Sequence, residues 1–199
     1  MGAVLSNDHF VYTSGKHGSV YVNKDALYPH PNQSSEVGEL FAQKYRDHKV
    51  QVIVAPALGG IVLSQWAAYH LTKMTGRKAL GIYTEKGPEK RQTLTRGYDQ
   101  LVRDKRVLVV EDVLTTGQSV KYAVEAVTKA GGYVLAVCAM INRDPDHVTS
   151  ETVGAPLSSL GILKAEAFDP ESCPYCTLGI SVNTSIGHGR QFLEQQLKK

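Results

Sequence analysis

The stretch Val107–Ser119, VLVVEDVLTTGQS, constrains the fold of this chain more than any other. Its apolar run Val107–Val110 predicts a fully buried strand. Glu111 and Asp112 stand at the end of that strand, and a small-residue loop, Thr115-Thr116-Gly117-Gln118-Ser119, follows. Val120, Ala123, Val124 and Val127 then recur at helical spacing. A strand, a glycine-containing loop and a helix start bring free backbone N–H groups and the positive end of the helix dipole to one point, which suits an anion. The adjacent carboxylates suit the vicinal hydroxyls of a sugar. A phosphorylated ribose satisfies both halves. The stretch lacks the GK[ST] of a Walker A loop.

The rest of the chain alternates in the same way, which predicts an α/β fold with a mainly parallel sheet. Strands are expected at Val50–Ala55, Lys78–Thr84, Tyr133–Asn142 and Leu160–Phe168, with a further short one at Val20–Val22 beside a turn at Ser14–Gly18. Helices are expected over Ser34–His48, Ile61–Thr75, from Val120 to about Ala130, and over Gly189–Lys199. In the first of these, Ser34 or Ser35 would cap and Val37, Leu40, Phe41 and Tyr45 would form the apolar stripe. Gly76 stops the second. Strand, helix and strand from Val107 to Asn142 fit a right-handed parallel crossover.

Four further places invite a chemical reading beside a plain one. Gly59-Gly60, in Pro56-Ala57-Leu58-Gly59-Gly60, is either a tight turn or a loop whose backbone a ligand can approach closely. The polar segment Glu85–Lys105, with Lys86, Lys90, Arg91, Arg96, Arg103 and Lys105, is either a solvated face or a functional loop. Arg143, at the carboxyl end of a strand, is either an exposed loop residue or an anion ligand. Cys173-Pro174-Tyr175-Cys176 is half of a zinc site completed by His188 and another histidine, a redox pair, or a structural feature.

Composition narrows the classes. A net charge of +3 over 199 residues is not that of a polycation built for nucleic acid. No apolar run approaches the ~18 residues of a membrane span, and the first residues carry no signal-peptide pattern. Three cysteines argue against a disulfide framework and for a reducing cytoplasm.

The pattern hydrophobic strand, acid, Asp112, two apolar residues, Thr115-Thr116-Gly117, any residue, Ser119 resembles the motif by which type I phosphoribosyltransferases bind 5-phosphoribosyl 1-pyrophosphate (PRPP). The match widens to the orotate phosphoribosyltransferases. Phe10, Ser14, Gly15, Ser19 and Tyr21 fall in places comparable to their N-terminal S-G segment, Ala57-Leu58-Gly59-Gly60 resembles their pyrophosphate loop, and the C-P-x-C tail has counterparts among them. Thr13 stands where some members have a lysine, and the basic loop lacks the histidine of a common pattern. The resemblance implies one domain over residues 1–199, with a doubly wound, mainly parallel five-stranded sheet in a core of about 34–145. A small hood would come from about 1–31 and 158–185.

It also implies roles. PRPP would be bound by Glu111, Asp112, Val113, Leu114, Thr115, Thr116, Gly117, Gln118 and Ser119, with Lys86, Lys90 and Arg91 from the basic loop and Arg96 in reserve. Ala57, Leu58, Gly59 and Gly60 would hold pyrophosphate. Thr115, Arg143, Tyr21 and Thr13 would contact orotate, and Lys90 and Asp112 would be catalytic. Mg²⁺ would be held mainly by PRPP, with no direct side-chain ligand assigned. The implied partners are PRPP, orotate and a second copy of the chain, with loop residues shared between subunits. Transfer to a purine or uracil, and a non-catalytic PRPP-sensing regulator, are the alternatives.

Overall fold

The structure, a computed structural model, describes residues 2–12, 14–87, 89 and 91–196. The chain divides into two compact units, residues 1–27 with 164–199, and residues 28–163. In the first, strands β1 (Val4–Leu5) and β4 (Tyr21–Val22) pair antiparallel, as do β2 (Phe10–Val11) and β3 (His17–Gly18). The turn between β2 and β3 is closed by the Gly15 amide donating to the Tyr12 carbonyl, 2.9 Å, with Gly15 at φ 82°.

The larger unit begins with helix α1 (Pro31–Tyr45), which starts earlier than the serines predict. Proline at the first helical position has no N–H to leave unsatisfied and a φ already suited to the helix. Ser34 is therefore buried inside the helix, and Ser35 Oγ lies 2.7 Å from His70 Nε2 instead of capping. The buried face is Ser34, Gly38, Phe41, Ala42 and Tyr45, whereas Leu40 is 48% exposed, so the stripe is turned from the expected one. The cause is close packing at Gly38. A methyl there would stand 2.7 Å from the carbonyl carbon of Trp66 and 2.8 Å from the amide nitrogen of Ala67. Alanine would gain about 1 kcal/mol of helix propensity, but neither backbone atom can rotate away. Gly38→Ala is therefore expected to destabilise by about 1–3 kcal/mol and lower the calorimetric midpoint by roughly 3–10 °C. An unchanged or raised midpoint would show that the helices can separate without loss.

Strand β5 (Val52–Pro56), helix α2 (Gly59–Thr75) and strand β6 (Leu80–Lys86) follow, and Gly76 ends α2 at φ 66°, as expected. The basic segment is more ordered than its composition implies. Strand β7 (Gln92–Thr93) folds back antiparallel on Glu85–Lys86, helix α3 covers Tyr98–Val102, and the Thr84 hydroxyl donates to buried Gln92 Oε1 at 2.9 Å. Strand β8 (Arg106–Leu114), helix α4 (Gln118–Lys129), strand β9 (Tyr133–Asn142), helix α5 (Ser150–Val153) and strand β10 (Leu157–Ile162) complete this unit. In the smaller unit, α6 (Pro174–Thr177) and α7 (Gly189–Gln196) lie near the end of the chain.

The six-stranded sheet has the order β10-β9-β8-β5-β6-β7. Five strands are parallel, as expected, and the sixth is the two-residue edge β7. The chain leaves β5 to one side for β6 and returns to its other side for β8, so the order reverses between β5 and β8. Ligands of open α/β sheets bind at the carboxyl ends of strands at such a reversal. The core lies on both faces. Phe41, Leu63 and Leu71 pack with Leu108 and Val110 on one, and Val120, Val124 and Val127 pack with Val107 and Val109 on the other. No helix among the described residues is long and apolar enough to cross a membrane.

Candidate active site

Strand β8 carries the site further into the sheet than expected. It does not stop at Val110: pairing with β9 continues through Glu111↔Ala139 and Val113↔Ile141 to Leu114↔Asn142. Pairing with β5 ends at Val54↔Val109. The acidic pair therefore sits on a stretch of strand supported by β9, while its ladder with β5 has already ended. Because side chains alternate along a strand, Glu111 shares the face of Val107 and Val109, and Asp112 that of Leu108 and Val110.

The two carboxylates accordingly meet different partners. Glu111, Val113 and residues 114–120 line a shallow pocket of about 40 Å³. Glu111 Oε1 also accepts the Asp112 amide at 3.1 Å. The floor of the pocket is the start of α4, capped by Gly117 at φ 71° with no side-chain cap bond. The first turn of a helix has no intrahelical acceptors for its amides, so these donors suit an anion. Gly117 needs its glycine twice over: its φ is left-handed, and a methyl would lie 3.0 Å from Val148 Cγ1 and 3.1 Å from Val153 Cγ1.

Asp112, almost fully buried, accepts the Tyr28 hydroxyl on Oδ2 and the Val113 amide on Oδ1, both at 2.6 Å. A methyl on Gly59 would collide with that same Oδ2 and come 3.2 Å from Tyr28 Cζ. The glycine after β5 thus lets the Ala57–Gly60 loop close onto the carboxylate of β8. In this loop the Ala57–Leu58 peptide is cis, the Ala57 amide donates to the Thr84 carbonyl at 2.9 Å, and the Leu58 side chain is 83% exposed. Tyr28 carries no motif in the sequence. Its hydroxyl meets Asp112 across 84 residues of chain, so no local pattern marks it.

Arg143 follows β9 directly, and its amide donates to the Leu114 carbonyl at 3.0 Å, which sets it beside exposed Thr115 at the same end of the sheet. Asn142 is buried behind it, donating to the Val148 carbonyl at 3.2 Å. The larger unit thus gathers Glu111–Ser119, Ala57–Gly60 and Arg143 at the carboxyl ends of β5, β8 and β9.

The basic residues are distributed otherwise. Arg91 pairs with Glu125 of α4 at 3.2 Å and stacks over Tyr122, 5.0 Å from its ring centre. Arg96 pairs with Glu85 at 3.0 Å, and the Thr95 hydroxyl donates to the same carboxylate. The Thr95 hydroxyl, then Arg96, hold the Glu85 carboxyl below its ordinary range. Lys86 is exposed on β6. In the smaller unit Tyr21 lies half-buried on β4, its ring centre 5.4 Å from that of Phe10. Thr13 and Lys90 lie outside the described residues.

An anion pocket at a helix start, next to two carboxylates where a parallel sheet reverses, defines the class: an enzyme that handles a phosphorylated ribose. Residues 23–152 match the phosphoribosyl transferase domain family. An orotate phosphoribosyltransferase of Caldanaerobacter subterraneus subsp. tengcongensis is 34% identical over 177 residues, 89% of this chain and 87% of that protein. The Thermotoga maritima enzyme of the same name is 38% identical over 178 residues, 88% of each. Among solved structures, the Aeropyrum pernix orotate phosphoribosyltransferase superposes with a TM-score of 0.61 at 27% identity, covering 81% of this chain and 89% of that one. The Mycobacterium tuberculosis enzyme gives 0.64 at 25%, covering 81% and 90%. The chain belongs to the orotate phosphoribosyltransferase family, a group of pentosyltransferases with the type I fold.

Proposed function

We propose that this chain transfers the 5-phosphoribosyl group of PRPP to orotate, giving orotidine 5′-monophosphate and pyrophosphate, a step in pyrimidine nucleotide synthesis. The observation that carries this reading is the anion pocket Thr115–Val120 sharing Glu111 as a lining residue. The 5′-phosphate takes the amides of residues 115–119, with Val113 and Leu114 forming the approach. Glu111 and Asp112 accept the ribose hydroxyls. The backbone of Ala57, Leu58, Gly59 and Gly60 approaches the pyrophosphate, joined by Lys86 and Lys90 and, on loop movement, Arg91. Orotate is oriented by Thr115 and Arg143.

The chemistry asks little of proton transfer. Orotate arrives with a readily deprotonated ring nitrogen. The anomeric carbon gains positive charge as pyrophosphate departs, so the carboxylate of Asp112 stabilises it and the lysines offset the leaving group. Closure of the basic segment excludes water, which would otherwise hydrolyse PRPP. Mg²⁺ typically takes one or two carboxylates beside substrate phosphates and water. The oxygen donors Glu111 and Asp112 fit that requirement as neighbours of a cation held chiefly by PRPP. When bound, the cation neutralises charge on the pyrophosphate. A homodimer in which the basic segment serves the partner's site belongs to the same proposal, as does a cytoplasmic setting.

The test is loss of orotate absorbance in the presence of Mg²⁺ and PRPP. Turnover of xanthine or uracil but not orotate would refute the base assignment, and salt-sensitive nucleic-acid binding without any turnover would favour a regulator. Tyr28→Phe keeps the ring and removes the hydrogen bond to Asp112. It is expected to lower kcat/KM for PRPP about tenfold, the equivalent of one lost bond to a charged group. Unaltered kinetics would mean that Asp112 needs no such support.

A further inference from the structure

Within the smaller unit, His9, His17, Cys173 and Cys176 present four ligand atoms that all lie within 4.8 Å of one another. His9 Nε2 is 2.9 Å from His17 Nδ1, 3.6 Å from Cys173 Sγ and 3.9 Å from Cys176 Sγ, and Cys176 Sγ is 3.3 Å from His17 Nδ1. A tetrahedral ion with Zn–S near 2.3 Å and Zn–N near 2.0–2.1 Å sets its ligands about 3.3 Å (N to N) and about 3.6 Å (N to S) apart. Each observed separation is within about 0.5 Å of these. We propose that His9, His17, Cys173 and Cys176 form a structural Zn²⁺ site, independent of the phosphoribosyl chemistry.

The protonation pattern agrees. His9 Nδ1 lies 2.7 Å from the Ile180 carbonyl, which can only accept, so Nδ1 carries the proton and Nε2 turns its lone pair into the cluster. A carbonyl on the far nitrogen is the usual outer support of a metal-bound histidine. His17 Nε2 has no hydrogen-bond partner among the described residues. Its ring stands edge-on to Phe192, centres 4.7 Å apart, and leaves Nδ1 as the nitrogen aimed at the other ligands. His9, His17 and Cys173 are all but inaccessible to solvent. Without a metal the two imidazoles share one hydrogen bond with each other and His17 Nε2 stays unpartnered among the described residues, whereas two thiolates and Zn²⁺ sum to zero charge and make the burial tolerable. Loading expels the two thiol protons, and the proton His17 shares with His9 moves to His17 Nε2.

The site would join segments that are 159 to 167 residues apart in the chain. Closing so long a loop is where a metal clip contributes most in principle. The sequence points to only half of it, since the C-x-x-C spacing is local and the histidines are remote. His188, the histidine considered from the sequence, has its Nδ1 3.0 Å from Gln191 Oε1, and it is not among the four. Cys138 is likewise elsewhere, buried on β9 with the Ser158 hydroxyl 3.4 Å from its sulfur.

The whole chain, purified without chelator, is expected to contain about one zinc per chain by elemental analysis. The Co²⁺-substituted protein should show the intense visible bands of a tetrahedral thiolate site. Cys176→Ser changes the exposed member of the set; it should retain the circular dichroism of the native fold and hold less than roughly a tenth of the zinc. Chelation should lower the thermal midpoint of the native chain by roughly 5–10 °C and leave that of the variant unmoved. Native and variant chains that bind zinc equally would overturn the proposal. So would a six-coordinate Co²⁺ spectrum, or a Cys173–Cys176 disulfide in zinc-replete protein shown by thiol titration.

Discussion

Asp112→Asn is expected to lower kcat/KM for PRPP about 100-fold, with the thermal midpoint within about 3 °C of the parent. The side chain is buried, so a change in volume would be felt, but Asn has nearly the same shape. Its amide oxygen can still accept the Val113 N–H, and the Tyr28 hydroxyl can turn to accept from the new NH₂. What is lost is the negative charge and the second acceptor. Both matter most when the anomeric carbon is cationic, so kcat should fall and not KM alone. Steady-state kinetics with PRPP varied at saturating orotate measures this. Full activity in a folded variant would remove Asp112 from the catalytic set.

Arg143→Ala is expected to act on the other substrate. Its backbone amide, which donates to the Leu114 carbonyl, survives the change, so the end of β9 should hold. The guanidinium is lost, and with it a charge-assisted hydrogen bond to the orotate carboxylate. The KM for orotate should rise about 10- to 100-fold, while that for PRPP stays within about threefold. Equal increases in both would mean that Arg143 supports the loop or the phosphoribosyl group and does not select the base.

How well each part could be foreseen depended on how local its cause is. Strand β9 runs from Tyr133 to Asn142, the span its apolar run predicts, because Gly131-Gly132 and the polar Arg143-Asp144 bound it on both sides. Strand β8 was expected to stop at Val110 because two acids follow. It continues to Leu114 because β9 offers backbone partners that far, and a ladder outweighs the weak strand preference of Glu and Asp. The start of α1 moved for a local reason, Pro31, but its buried face turned for a distant one, the contact of Gly38 with α2. The charge of the basic segment gave no hint that Arg91 and Arg96 would find Glu125 and Glu85.

From the sequence alone came the α/β alternation, the strand–acid–glycine–helix stretch that selects a phosphorylated ribose, and the glycine pair after β5. These are features of neighbouring residues, encoded by period and by backbone freedom. The tertiary structure alone decided that Glu111 and Asp112 serve opposite faces of the sheet, that Gly59 and Tyr28 close on Asp112, and that His9 and His17 meet Cys173 and Cys176. Those outcomes depend on strand order, on where the β5–β8 ladder ends, and on contacts between residues far apart in the chain, up to 167 positions for His9 and Cys176. No window of the chain contains both partners of such a contact, so only the packed structure can join them.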